Sequence, residues 1–561
     1  MQIRSYSVVL SGEAGQGLKT IESLFMVLLQ KSGYHAYIAK EFMSRVRGGN
    51  NTSEIRISDK RIGAFVDRID LLVVLSKNGL DRLLPRIGSH THIVGEEAYI
   101  TSQKTEGILH PLPIAEKMRE LGNPIFSNNL VNGLLSALFS CDADIAYQAI
   151  EKQFASKGEE IVEKNRQAFQ MGLELAKTLN TSFDVKMDEK VKGMYALSGS
   201  ESIGIGALSG GCNFISSYPM SPSTAVLAYL AKKEREYSIV VEQAEDEIAA
   251  INMALGAWYT GARAMVTTSG GGFALMTEAV SLSGIIESPM VIHLAQRPGP
   301  GTGLPTRTEQ GDLNLALYAG HGDFPRVIYA PGTYEDGILF THRAFEVADE
   351  FQVPVFVLTD QHFLDGEGIT EKIDFSKLPT HNHFIKTDAA YLRYKLTDSG
   401  ISDRGIPSYG DGFVCVDSDE HTEGGRITED SEVRIAMVEK RMRKLDAYED
   451  LQPKLVGKEE YKTLVVGWGS TYEAIKEALE EIDDASISFA FFGQVYPLPS
   501  LTYDLLSQAD RLVLVENNAT GQLGELIARE LGIFFDTTIL QYNGSPFSVE
   551  QLVQGIKGGQ A

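Results

Sequence analysis

Residues 213–230 read NFISSYPMSPSTAVLAYL. The stretch opens like a buried strand and closes like a helix, and between them stand Pro219, Pro222 and a run of hydroxyl side chains. Proline fixes φ and removes a backbone donor, so two of them at a strand-to-helix junction make a rigid corner. A strand that turns directly into a helix is the building unit of α/β folds.

The same alternation continues on both sides. Downstream candidate strands are SIVVEQ (238–243), ARAMVTTS (262–269), PMVIHLAQ (289–296), PRVIYA (325–330) and VPVFVLT (353–359), separated by helical patterns. Upstream are YSVVL (6–10), HAYIAKE (35–41), DLLVVLS (70–76) and THIVGEE (91–97); a last set is KTLVVGWGS (462–470), SISFAFFGQ (486–494) and RLVLVENN (511–518). Strands alternating with helices predict parallel, doubly wound sheets. The expected class is α/β with three such units: residues 1–180, 195–375 and 461–561. A polar linker occupies 181–194, and 376–460 is an extended insertion, His-, Asp- and Gly-rich, ending in the charged helix EVRIAMVEKRMRKLDAYEDL. No sequence repeat relates the three units.

At 561 residues the chain exceeds one hydrophobic core. A formal charge of −24 argues against a nucleic-acid partner, because a phosphate backbone would be repelled. No apolar run is long enough to span a bilayer, and MQIRSYSVVLSGEAG has no signal-peptide core, so a soluble cytoplasmic protein without a membrane partner is expected. The three cysteines, Cys141, Cys212 and Cys415, are far apart and form no CxxC. They read as reduced thiols, and no metal site is expected in this chain.

Four motifs carry possible chemistry. SGEAGQGLKT (11–20) is a glycine-rich turn before a helix, spaced Gly12-x-x-Gly15-x-Gly17, unlike either nucleotide fingerprint. A phosphate cradle and a close-packing turn both fit it. SRVRGGNNTSEIRIS adds Arg45 and Arg47 beside two glycines, as a phosphate-facing loop or a solvated hairpin. VVEQAEDEIAAINMALGAWY sets Glu242, Glu245, Asp246 and Glu247 before a helix apolar nearly all round, which is expected to be buried. Those acids can complement the helix dipole or act as a general base, and periodicity does not choose among them. AQRPGPGTGLPT places Arg297 at a strand end before a rigid loop, where open α/β sheets bind ligands. Its fork suits a carboxylate, or a surface ion pair. Gly410-Asp411-Gly412 is a turn: no Asn follows it before residue 460, and IPSY ahead of it is not a convincing buried strand.

Tyr218-Pro219-Met220-Ser221-Pro222-Ser223-Thr224 resembles the YPITPS signature of the 2-oxoacid:ferredoxin oxidoreductases. EDEIAAINMALGA, TTSGGGF, AQRPGPGTGLPT, VVGWGS, FGQVYPLP and VENNATGQL are similar to other segments of that family's alpha subunit, and SGEAGQG with RVRGG is similar to its gamma domain, here fused ahead of alpha. The resemblance covers essentially the whole chain. It implies a gamma domain, a domain of the type that binds the thiamine-diphosphate pyrimidine, and a C-terminal transketolase-like domain.

The implied activity is oxidative decarboxylation of a 2-oxoacid to acyl-CoA and CO₂ with reduction of ferredoxin, reversible, in a heterodimer or (alpha-beta)₂ assembly. Thiamine diphosphate is shared with a beta subunit, which is expected to carry Mg²⁺ and [4Fe–4S], and coenzyme A is the cosubstrate. Carried over by motif, Glu245 meets the aminopyrimidine, with Tyr218, Pro219, Ser269 and Gly270 lining the cofactor. Ser221, Ser223, Thr224, Arg297 and Thr302 face substrate, Arg297 on its carboxylate, and Gly12, Gly15, Gly17, Arg45 and Arg47 are the candidates for coenzyme A phosphates. Ser221 replaces the signature Thr and Met220 its Ile, which alters pocket shape. By resemblance 2-oxoglutarate is the favoured substrate, with pyruvate and branched 2-oxoacids open. A nucleotide- or flavin-dependent dehydrogenase and a non-catalytic scaffold are the readings from other classes.

Overall fold

The computed structural model describes residues 5–13, 15–43 and 49–558. The chain forms two compact units: one of residues 1–197 with 366–372 and 548–550, and one of the remainder.

The first unit is built on an eight-stranded sheet. Its strands run Ile108–Pro111, His92–Gly95, Leu71–Val74, Ser5–Glu13, Asn50–Ser58, His35–Glu41, Glu367–Thr370 and Tyr195–Ser198 across the sheet. The first four are parallel, as doubly wound topology requires, but Asn50–Ser58 runs antiparallel to both its neighbours. This sheet is therefore mixed rather than parallel. The Asn50–Ser58 segment, read as a phosphate loop or a solvated hairpin, is a central buried strand. Its charges are paired inside: the Arg86 guanidinium donates from Nη1 and Nη2 to the two Glu54 oxygens at 2.8 Å each, and Arg56 Nη1 donates to the Ala64 carbonyl at 2.9 Å.

The second unit holds two larger sheets. Its seven-stranded sheet runs Gln494–Tyr496, Val327–Tyr329, Pro354–Asp360, Met290–Gln296, Ala264–Thr268, Phe214–Ser217 and Val240–Gln243. All these strands are parallel except the Gln494–Tyr496 edge. Near-continuous Val, Ile and Leu runs form them because a parallel sheet is covered on both faces. The five-stranded sheet runs Lys454–Val456, Ile487–Phe492, Thr463–Trp468, Arg511–Glu516 and Thr537–Leu540, with only the first edge antiparallel. The two sheets share one hydrophobic core, in which Trp258, Phe273, Phe345, Phe356 and Trp468 are fully buried.

Arg404–Gly410 departs from expectation. RGIPSYG is a strand, paired in parallel with Phe384–Thr387. Its outer half is partly exposed, so it lacks the apolar run that marks a buried strand. The Gly410–Gly412 stretch does turn: Asp411 N–H donates to the Thr387 carbonyl at 2.8 Å.

Candidate active site

Four neighbouring strands of the seven-stranded sheet end at the same edge. Val240–Gln243 leads to Glu245, Phe214–Ser217 to Ser221, Ala264–Thr268 to Ser269, and Met290–Gln296 to Arg297. Because the strands are parallel, all four residues lie beyond carboxyl ends, where open α/β sheets bind ligands.

The corner after Ser217 is braced from below. Ser217 Oγ donates to the Thr267 carbonyl at 2.7 Å, and the Ala244 N–H donates to the Ser217 carbonyl at 3.0 Å. His293 spans the strands beneath: its Nδ1 lies 2.7 Å from Thr267 Oγ1 and its Nε2 2.9 Å from Thr359 Oγ1. Burial pushes the His293 imidazole down to about 3, so it is neutral and has one donor and one acceptor nitrogen for the two hydroxyls. Ser223 Oγ donates to the Met220 carbonyl at 2.7 Å and is fully buried, closing the turn. Thr224 begins the following helix, Thr224–Tyr237. Tyr218 and Ser221 are exposed, Pro219 is half-buried, and the Ser221–Pro222 bond is cis.

The four acids before the helix Glu247–Tyr259 separate by position. Asp246 caps it, its Oδ1 accepting from Ala249 N–H at 2.8 Å. Glu247 is buried, its Oε1 only 2.7 Å from where a Cβ on Gly272 would lie. Glu242 and Glu245 are exposed. The helix is not buried all round: Ile248 is 52% and Met253 41% exposed, so its apolar surface faces outward on one side.

Arg297 reaches back to the corner, Nη1 donating to the Ser221 carbonyl at 2.6 Å. Its loop is held by glycine. Gly303 has φ +55°, and a Cβ there would lie 1.8 Å from the Pro298 carbonyl oxygen, which accepts from Leu304 N–H at 3.1 Å. Thr302 is exposed at the tip of this loop.

Asp312 closes the loop and was not singled out by sequence. Its two carboxyl oxygens lie 2.4 and 2.5 Å from where a Cβ on Gly270 would stand, at the N-terminus of the helix Gly270–Ile285. Asp312 is part-exposed, yet Oδ2 is enclosed and accepts no hydrogen bond among the described residues. Ser269 Oγ, fully buried beside it, likewise has no partner among them. Burial and the Glu309 charge push the Asp312 carboxyl up to about 7, with Arg297 opposing. Burial in turn draws the Arg297 guanidinium down, with Asp312 opposing.

The same loop is clamped by the five-stranded sheet. Gln310 Nε2 donates to the Trp468 carbonyl at 2.8 Å, and its Oε1 accepts from Asn517 N–H at 2.9 Å. Gln522 Nε2 donates to the Gly311 carbonyl at 2.9 Å. GWGS and VENNATGQ thus fix the Arg297 loop.

In the first unit, Gly12 and Gly17 are close-packing glycines. A Cβ would lie 2.8 Å from Gln16 Oε1 at Gly12 and 2.2 Å from Asn128 Nδ2 at Gly17. Gly15, at φ +91°, has open space around it. Arg45 and Arg47 lie outside the described residues.

Comparison with known proteins places these features. The family model described as "Pyruvate flavodoxin/ferredoxin oxidoreductase, thiamine diP-bdg" matches residues 205–440, and "Pyruvate ferredoxin/flavodoxin oxidoreductase" matches 7–175. The chain is 29% identical to a 2-oxoacid:ferredoxin oxidoreductase subunit alpha of Sulfolobus sp, over 99% of this chain and 97% of that one. It is 32% identical to a 2-oxoglutarate synthase subunit KorA of Archaeoglobus fulgidus, over 65% of this chain and 99% of that one. Its structure matches a 2-oxoglutarate:ferredoxin oxidoreductase from Magnetococcus marinus, solved with 2-oxoglutarate, coenzyme A and succinyl-CoA bound. That match has a TM-score of 0.93 at 27% identity and covers 99% of each chain.

Proposed function

The chain belongs to the 2-oxoacid:ferredoxin oxidoreductases as an alpha subunit, and from that premise we propose that it forms one half of a thiamine-diphosphate site that acts on 2-oxoglutarate. The observation that carries the reading is the meeting of Arg297 with the Ser221 carbonyl, beside Glu245 and Ser269 at one edge of four parallel strands.

The residues present suit the cofactor. Glu245 offers an exposed carboxylate to an aminopyrimidine nitrogen, Tyr218 and Pro219 offer apolar surface, and Ser269 Oγ is a hydroxyl without a partner among the described residues. Thiamine diphosphate, when bound, supplies the nucleophilic carbon and the electron sink. This chain holds and places. Glu245 holds a proton against the aminopyrimidine. Arg297 binds the substrate carboxylate with a charge-assisted fork, and the Ser221 hydroxyl donates toward the 2-oxo oxygen. Gly270 lets the Asp312 carboxyl pack against the start of its helix, behind the Arg297 loop.

The outward apolar side of Glu247–Tyr259 supports a beta partner that covers Glu245 and brings Mg²⁺ and [4Fe–4S]. Ferredoxin as acceptor, reversibility and an alpha-beta or (alpha-beta)₂ assembly belong to the same reading. Coenzyme A is the proposed acyl acceptor, with the open turn at Gly15 before the helix Leu18–Ser32 as a place for a phosphate. The proposed division is 1–180, a linker at 181–194, 195–375, 376–460 and 461–561. 2-Oxoglutarate is favoured because several of the matched proteins carry it in their names; pyruvate and branched 2-oxoacids are the alternatives. No helix among the described residues is long and apolar enough to cross a membrane.

The test is anaerobic co-purification with the beta subunit and coenzyme-A-dependent reduction of an artificial acceptor across a panel of 2-oxoacids. Turnover highest with 2-oxoglutarate supports the reading. Turnover with pyruvate alone overturns the substrate, and turnover with none overturns the function.

A further inference from the structure

The insertion expected between residues 376 and 460 opens with SKLPTHNHF, and the two histidines of that stretch have no part in the site above. His381 and His383 flank one residue on the segment entering the strand Phe384–Thr387. They approach Glu346, on the helix Tyr334–Phe351 of the core. One donor atom from each of the three lies within 4.8 Å of the other two.

The carboxylate is oriented as a metal ligand should be. Glu346 Oε1 accepts from Arg263 Nη1 at 2.6 Å, while Oε2 lies 3.0 Å from His381 Nδ1. A partner holding one oxygen fixes the other, the role that outer hydrogen bonds play around bound metals. The surrounding charge is balanced: Arg263 also bonds Asp349 Oδ2, and Arg404 bonds Asp349 Oδ1. Two guanidinium groups and two carboxylates leave no net positive field to repel a cation.

A hydrogen bond from His381 to Glu346 satisfies those two side chains but leaves the third with nothing. His383 Nε2 is enclosed and has no hydrogen-bond partner among the described residues. Leaving a buried polar atom unpaired costs roughly 1–3 kcal/mol, so a bare loop gains nothing by enclosing this nitrogen of a half-buried imidazole. A cation bound by all three donors removes that cost. His381, with 62% of its side chain exposed, gives the ion access and can turn to close the ligand distances.

We propose that Glu346, His381 and His383 bind a divalent transition ion of the Zn²⁺ type, which fastens the start of the insertion to the core helix. Two imidazoles and one carboxylate suit Zn²⁺, with water in the fourth position. On binding, His381 passes from the Nδ1–H to the Nε2–H tautomer, solvent carrying the proton from one ring nitrogen to the other, which frees Nδ1 to ligate.

The experiment is titration of the chelator-treated full-length chain with Co²⁺, followed by its visible d–d bands, and with Zn²⁺, followed by Tm. The expected result is one ion per chain with four-coordinate Co²⁺ bands. Affinity should fall at least about 100-fold in H383A. Zn²⁺ should raise the Tm of the wild type and leave that of H381A, a change at an exposed position, unmoved. Equal affinity in H383A, a weak six-coordinate spectrum, or the same Zn²⁺ shift in H381A would overturn the proposal.

Discussion

Arg297 Nη1 donates to the main-chain carbonyl of Ser221 at 2.6 Å, joining the loop after one strand to the proline corner after another. The guanidinium proposed to receive the substrate is thereby registered against the hydroxyl proposed to meet its 2-oxo group. One side chain positions both.

Replacement of Arg297 by Lys keeps the charge and loses the fork. Hydrogen bonds to charged groups contribute about 1.5–3 kcal/mol, so kcat/KM in R297K should fall roughly 10- to 150-fold. The Tm should change little. Steady-state kinetics of the reconstituted complex and a thermal melt check both halves.

Asp312 should make stability depend on pH. Its folded carboxyl titrates at about 7 against an ordinary value of 3.8, so the folded chain holds a proton that the unfolded chain releases. Stability from this group is therefore greatest below about pH 4, declines as pH rises to about 7, and is flat above. The decline should amount to roughly 2–4 kcal/mol. Urea denaturation at a series of pH values should show it in the wild type, and D312N should abolish that component.

Gly270 and Asp312 should prove coupled. A Cβ at position 270 meets both carboxyl oxygens below contact distance, so G270A should cost about 1–3 kcal/mol. In the D312A background the obstacle is gone and the cost should shrink. A double-mutant cycle measures the difference, and strict additivity would contradict the contact.

Gln310 links the Arg297 loop to the five-stranded sheet through Trp468 and Asn517. While the Trp468 carbonyl keeps the Thr471 hydroxyl at 2.7 Å, Q310A leaves the buried Asn517 N–H unpaired, at about 1–3 kcal/mol in denaturant unfolding. It should also raise KM for the 2-oxoacid, because the loop that carries Arg297 loses its brace.

Much of this architecture was legible because covered parallel strands are written as apolar runs. VVLS, VIHLAQ, VFVLT and LVVGW could hardly be anything else. NNTSEIRIS failed as a strand signal because its buried Glu54 and Arg56 are paired by Arg86 and the Ala64 carbonyl, neither of which local pattern reveals. RGIPSYG failed because half of it faces solvent. The helix Glu247–Tyr259 was expected to be wholly enclosed, and its outward Ile248 and Met253 are apolar without a cover in this chain. The site was legible as motifs but not as roles. Asp246, Glu247 and Ser223 turned out to hold cap, packing and turn contacts, and Asp312 carried no signal beyond ending the arginine loop. VVGWGS and VENNATGQL mattered through a glutamine that lies some 160 to 210 residues away in sequence.

The most direct test of half an active site with Glu245 at its centre is turnover of the reconstituted alpha-beta complex carrying E245A, with 2-oxoglutarate and coenzyme A. Loss of about 10²- to 10⁴-fold in kcat, with the complex and its clusters intact, is the predicted result. Undiminished kcat would contradict the account and move the proton to another acid.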